Sequence, residues 1–274
     1  MNRAVKNLAK SAYGRLMPRG ARNSLRLWTM LQTPDRAPRM ITSFDAQPVV
    51  VLAPHMDDEV IGCGATLHRH VQAGAAVTCV YMTDGRSGDL NLPAAEVAKM
   101  IEGRKEESRR ATKLLGISDL VFLDGPDGSL SELPALVDRV AGIINEKSAA
   151  WVYLPALTDN HKDHWATNRI FHAALKQCRQ EIAIRGYEIW SPTPANVMVD
   201  ITEIIDLKKK AIEEFASQTQ FVDYTHVSLG LAAYRSNVHM LGRGYAEAFL
   251  QTTVAEYRKL YEAILIRPGA RATA

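Results

Sequence analysis

Cysteine is scarce in this chain: Cys63, Cys79 and Cys178 are the only three in 274 residues. They are too few and too scattered for a disulfide framework or a thiolate zinc site, and they point to a reducing compartment. Long apolar runs are missing as well. None approaches the roughly twenty residues that cross a bilayer, and no early hydrophobic segment resembles a signal peptide, so a cytoplasmic location is expected. Internal repeats and low-complexity tracts are absent. With 47% hydrophobic residues, the chain can bury the core of one sizeable domain.

Acidic residues are nearly missing from the first forty positions, where nine Lys/Arg face Asp35 alone; that segment carries +8, which leaves −5 for the remainder of a chain whose net charge is +3. Val5, Leu8, Ala12 and Leu16 recur there at helical spacing with Lys6, Lys10 and Arg15 between them, until Pro18 and Gly20 break the pattern. The reading is a basic, partly helical arm over residues 1–44 and a single domain over 45–274. The arm either packs on the domain with a solvated basic face or makes peripheral contact with an anionic membrane. Nucleic acid is not expected as a partner, because no recognised binding module accompanies the charge.

Strand and helix patterns then alternate. Val49-Val50-Val51-Leu52-Ala53 reads as a strand buried on both faces, and residues 77–82, 120–123 and 151–154 repeat that character. Helical patterns fill residues 60–70, 93–115 and 131–147 between them. Such alternation implies βαβ units and a mainly parallel sheet, in a Rossmann-like three-layer α/β/α domain. Later, residues 187–190 and 197–201 are short strand expectations, and 204–217 and 244–261 are expected helices.

Chemistry gathers where two of these strands end. Pro54-His55-Met56-Asp57-Asp58-Glu59 follows the first, and His161-Lys162-Asp163-His164 follows the fourth. Ligands of open α/β sheets collect beyond the carboxyl ends of the strands, so both clusters are placed for work. His55 and Asp58 stand three apart, and His164 can complete a set of two histidines and one carboxylate, which leaves a catalytic zinc an open position for water. Asp57, beside a ligand but pointing elsewhere, suits a general base. His161, as an imidazolium, can steady an oxyanion or protonate a leaving amine, with Asp163 orienting it. His68, His70 and His239 read as surface or packing histidines.

These residues resemble the PIG-L, or LmbE-like, zinc-dependent N-acetylglucosaminyl deacetylases. Residues 54–59 are similar to that family's (A/P)-H-P-D-D-E motif and residues 161–164 to its H-x-D-H motif. The resemblance extends over about residues 48–218, with Thr83-Asp84-Gly85, Gly88, Arg104-x-x-Glu107, Pro126-Asp127-Gly128 and Ser217-Gln218 in the family's order. It implies an LmbE-like deacetylase fold, zinc held by His55, Asp58 and His164, with another divalent ion such as Fe2+ as the alternative, Asp57 as base, and His161 as oxyanion or leaving-group partner tuned by Asp163. Arg104 and Asp127 match positions that hold sugar hydroxyls. Met56 replaces the motif's proline without removing a ligand. Arg86 stands where many members carry glutamate, and Phe215 where a histidine often precedes Ser-Gln. Asp159 stands where members acting on thiol-linked sugars have tyrosine, which moves the expected substrate away from those pathways.

The expected activity is therefore hydrolytic removal of an N-acetyl group from an N-acetylglucosamine-type sugar or glycoconjugate, with Tyr153, Trp165 and Trp190 as stacking candidates and a homo-oligomer compatible with the sequence. Two rivals stand beside it. One is an amidase acting on a non-sugar or lipid-linked N-acyl substrate, and the other a non-catalytic Rossmann-like binding protein.

Overall fold

A computed structural model of the chain describes residues 37–89 and 92–265. The helix expected over residues 5–16 lies outside them. The described residues fall into a body, Ala37–Val254, and a second unit whose described part starts at Ala255. The strands are β1 (Arg39–Ile41), β2 (Val49–Ala53), β3 (Val77–Thr83), β4 (Asp119–Gly125), β5 (Trp151–Pro155), β6 (Ala183–Tyr187), β7 (Val197–Asp200) and β8 (Ala246–Thr253). The helices are α1 (Asp58–Gln72), α2 (Ala94–Leu114), α3 (Pro134–Glu146), α4 (Lys162–Ala174), α5 (Ile205–Glu213), α6 (Ala216–Thr219), α7 (Tyr224–Arg235), α8 (Asn237–Met240) and α9 (Val254–Leu265).

One sheet runs β1-β7-β8-β6-β5-β2-β3-β4, and among the described residues only β8 is antiparallel to its neighbours. The β-branched run of β2 explains its central place: all five residues are buried, so only a position covered on both faces suits it. Val49, Val51 and Ala53 share a core with Val60 and Cys63 of α1, Ala111 of α2, Ala211 of α5 and Ala232 of α7. Helices α3 and α4 pair with each other in the opposite layer. The expected three-layer, mainly parallel fold is present.

Chain order sets where a ligand can enter. From β2 the chain moves outward to β3 and β4, then returns to lay β5 against the other side of β2. The loops leaving β2 and β5 therefore diverge to opposite layers, and a crevice opens between them at the strands' carboxyl ends. His55 to Asp58 leave one strand there and Asp159 to His164 the other.

Helix α1 lies close on the sheet because Gly62 has no side chain: a Cβ there would stand 2.4 Å from Tyr187 Cδ2 and 2.9 Å from Ile189 Cδ1. Tyr187 cannot yield easily, since it is fully buried and its hydroxyl donates to the Leu52 carbonyl at 3.0 Å. Gly62→Ala gains up to about 1 kcal/mol of helix propensity and meets an overpacking cost of about 1–3 kcal/mol. The expected outcome is a net loss of stability, read as a Tm several degrees below the parent in thermal unfolding; an unchanged Tm would show that the helix can lift off the strand.

Some expected elements are corrected. Residues 244–261 are not one helix but β8 followed by α9. Ala246, Glu247, Ala248 and Gln251 favour helix locally, yet pairing with β6 on one side and β7 on the other decides the conformation. The strand expected at 187–190 lies earlier, at β6, where Gly186 allows approach to Ala156, whose Cα would stand 3.0 Å from an added Cβ. The helix expected over 204–217 divides into α5 and α6 on either side of buried Phe215. Strand β1 and helix α7 are additions. His70 is the packing histidine expected: its Nε2 lies 2.8 Å from the Tyr153 hydroxyl, and burial first, then Arg185, lowers its pKa to about 4.

Candidate metal centre and cleft

Pro54 ends β2, and its carbonyl accepts from the Thr83 N–H at 3.1 Å and hydroxyl at 2.8 Å, which anchors the turn that follows. Asp57 heads α1 at φ 154°, ψ −28°, a conformation L-residues rarely adopt. Asp58 Oδ2 then becomes a common point. It accepts the His55 N–H at 2.9 Å, lies 3.2 Å from His55 Nδ1 and lies 3.3 Å from His164 Nε2. The clusters, more than a hundred residues apart in sequence, thus meet at one oxygen.

The donor set fits a divalent cation. Atoms bonded at about 2.0–2.2 Å to a tetrahedral zinc ion stand roughly 3.3 Å from one another, close to the two separations found here. His164 is fully buried, and neither ring nitrogen makes a hydrogen bond of acceptable geometry although carboxylate oxygens stand near both. Buried nitrogens without partners are costly unless something else engages them. Burial would raise the Asp58 pKa, but His164 and His55 outweigh it and hold the carboxylate well below its usual range. Burial would likewise lower His164, but Asp58 and Asp159 raise it to about 9. A pocket that holds a positive charge this firmly on an imidazole also favours a metal ion between the rings.

His161 completes a three-ring cluster. Ligand atoms of His55, His161 and His164 lie within 4.8 Å of one another, and the His161 ring stands edge-on to His55 with centroids 4.8 Å apart. Ligand atoms of a second group, His55 with Asp127 and Asp163, also lie within 4.8 Å of one another. In that group both carboxylates stand 3.3 Å from His55 Nε2, the nitrogen facing away from Asp58. Such outer carboxylates orient metal-ligating histidines and raise their basicity.

Asp163 is thereby placed differently from expectation. Its carboxylate meets His55 and accepts the N–H groups of Gly128 at 2.8 Å and Leu130 at 3.1 Å, whereas only its main-chain N–H, donating to Nδ1 at 3.3 Å, touches the His161 ring. Burial raises the Asp163 pKa, but His55 and these amides bring it down to about 2. Burial, then the charges of His55 and His164, lower that of His161, which disfavours the imidazolium form assigned from sequence.

Asp57 opens on the cleft beside the metal set. Burial, then the charge of Asp58, raises its pKa to about 7, with Arg104 working in the opposite direction. Arg104 is 2% exposed; it donates to the carbonyls of Gly85 at 3.1 Å and Met56 at 3.2 Å and stands 3.6 Å from Asp57 Oδ2. It is not paired with Glu107, which instead accepts the Ser217 N–H at 2.8 Å and hydroxyl at 2.6 Å and so places Gln218 in the cleft wall. Asp127 accepts the Ser87 N–H at 2.9 Å. Gly85 has φ +71°, and a Cβ there would meet Met56 Cε at 2.7 Å, so this loop needs glycine on two counts.

The cleft has a volume of about 310 Å³, at the small end of the range for small-molecule sites. His55, Asp57, Asp58, Arg104, Asp127 and His161 all line it. Trp190 is the aromatic wall: 58% exposed, it stacks on His161 with centroids 5.8 Å apart and planes inclined 21°. Tyr153 is a correction, since it is buried in the sheet with its hydroxyl bonded to His70 and Arg185. Trp165 is absent from the lining. Tyr224 and Ile189 line the cleft without having been anticipated, and no motif marks either position.

Residues 50–175 match the family described as PIG-L, GlcNAc-PI de-N-acetylase. The uncharacterized deacetylase YaiS of Escherichia coli (strain K12) is 29% identical over 168 residues, covering 59% of this chain and 82% of that protein. A diacetylchitobiose deacetylase of Thermococcus kodakarensis is 24% identical over 192 residues, 64% of this chain and 71% of the other. Among solved structures, the N,N'-diacetylchitobiose deacetylase of Pyrococcus horikoshii superposes with a TM-score of 0.67 at 23% identity, over 90% of this chain and 94% of its own, and so shares the fold. The matched segment contains both histidine clusters, and over these residues the chain is similar to the PIG-L family of deacetylases.

Proposed function

We propose that this chain is a zinc-dependent hydrolase that removes the N-acetyl group from an N-acetylglucosamine-type sugar or glycoconjugate. The observation that carries the reading is the Asp58 oxygen standing 3.2 Å and 3.3 Å from two imidazole nitrogens, beside a second carboxylate, Asp57, that is free of both. The likeness to a diacetylchitobiose deacetylase supports the sugar class.

His55, Asp58 and His164 would hold the ion. When bound, zinc would supply an acidified water and polarise the acetamide carbonyl. Asp57 then serves as general base: its raised proton affinity suits a group that takes a proton near neutrality and later returns it. His161 has a different task. With Nδ1 accepting the Asp163 N–H, its neutral tautomer bears the proton on Nε2, which suits a hydrogen bond to the developing oxyanion, while the proton held by Asp57 goes to the leaving nitrogen. Arg104 and Asp127 would bind sugar hydroxyls at the cleft floor, each at the same time bracing the machinery, Arg104 beside Asp57 and Asp127 beside His55.

Acetate release from N-acetylated sugars, nucleotide sugars and lipid-linked sugars, measured on purified protein with and without a chelator, tests the reading. Release from at least one N-acetylhexosamine substrate is expected, abolished by the chelator and restored by Zn2+ or Fe2+. Release undiminished by complete metal removal would reject the metal chemistry, and a protein that binds no metal would favour a non-catalytic role.

A further inference from the structure

Asp159 was singled out in the sequence only for what it replaces, yet its carboxylate touches three parts of the cleft at once. Oδ1 lies 3.1 Å from His164 Nδ1, the nitrogen facing away from Asp58, and accepts the His161 N–H at 2.9 Å. Oδ2 accepts the Trp190 N–H at 3.1 Å. The residue is 2% exposed, so these groups rather than water must satisfy it. A second link, the Ser191 hydroxyl donating to the Thr158 carbonyl at 2.7 Å, ties the same two loops together.

We infer that Asp159 is a positioning residue that sets the metal ligand His164 and the stacked His161–Trp190 wall with a single carboxylate, so that ion affinity and sugar binding are linked through it. The inference rests on the proposed metal-dependent reading of the cleft. A carboxylate behind a ligating histidine fixes the ring so that its other nitrogen faces the ion. Asp163 and Asp127 supply that support to His55, and Asp159 is the corresponding group for His164. What sets Asp159 apart is its second oxygen. By fixing the Trp190 main chain, it holds the loop that carries the indole, while the first oxygen holds the backbone under the imidazole on which that indole stacks. Asparagine in its place offers one carbonyl oxygen and turns an NH2 group toward N–H donors, so it cannot satisfy all three partners.

The test compares the parent, Asp159→Asn and Trp190→Ala by Zn2+ affinity in chelator competition, by the visible spectrum of the Co2+-loaded proteins, and by KM and kcat for acetate release. Asp159→Asn is expected to weaken Zn2+ binding by about 10–100-fold, to alter the Co2+ ligand-field bands and to raise KM. Trp190→Ala is expected to raise KM while leaving ion affinity and the Co2+ spectrum as in the parent. A direct check on the parent avoids any folding defect of the variant: in the Zn2+-loaded protein, nitrogen-15 NMR should find the His164 proton on Nδ1. Parental Zn2+ affinity and Co2+ spectrum in folded Asp159→Asn, or a His164 proton on Nε2, would overturn the inference while leaving the deacetylase reading intact. A parent that takes up neither ion would reject both.

Discussion

Asp57→Asn is expected to keep its metal and lose about 10²–10⁴-fold in kcat, the range that a positioned acid or base contributes. The amide matches the carboxylate in size and accepts no proton. Asp57 lies 3.6 Å from Arg104 and outside the group of oxygens and nitrogens around Asp58 Oδ2, so its replacement leaves all three proposed ligands in place. Removing one of two adjacent buried acids also relieves repulsion, so the variant should be no less stable than the parent. The measurements are metal content after dialysis, Tm and acetate release. Full activity in Asp57→Asn would remove the assigned base and move attention to His161, the other proton-transfer group lining the cleft. Loss of metal together with activity would instead make Asp57 a ligand.

His164→Ala should lose both metal and turnover. Four ligands in structural zinc sites supply roughly 10–16 kcal/mol, so one imidazole is worth about 3 kcal/mol or more, at least a hundredfold in affinity. Here the loss is compounded, because the imidazole stands between Asp58 at 3.3 Å and Asp159 at 3.1 Å, and alanine leaves both carboxylates buried without it. Isothermal titration with Zn2+ and the acetate assay check this. Parental affinity in folded His164→Ala would mean that the ion is held by His55, Asp127 and Asp163, the other group whose ligand atoms lie within 4.8 Å.

How much of this could be read from the sequence depended on whether local order and tertiary contact agreed. The β2 run and its sudden change to Pro54-His55-Met56-Asp57-Asp58-Glu59 marked both strand and site, because a strand buried on both faces can be polar only where it ends. The His161 cluster was legible for the same reason, following β5. Pairings were harder to see. Nothing local indicates that Glu107 meets Ser217 rather than Arg104, that Asp163 serves His55, or that Asp159 spans His164 and Trp190; each is decided by which loop comes alongside. Strand β8 was hidden because Ala, Glu and Gln suggest helix until two neighbouring strands supply partners. Charge on the buried histidines depends on surrounding carboxylates that only the fold collects.

The placement of β8 also governs when this protein can become active during synthesis. Every proposed metal ligand lies within residues 50–175, but β6 finds its second neighbour only when residues 246–253 arrive, and Glu247 then accepts the Ala65 and Thr66 N–H groups of α1 and pairs with buried Lys208. A nascent chain still on the ribosome at residue 240 would present an open edge at β6 and a helix α1 lacking its far support. Catalytic competence should therefore appear only after residues 246–253 have emerged, and the ligand-bearing segment expressed alone should aggregate rather than bind the ion.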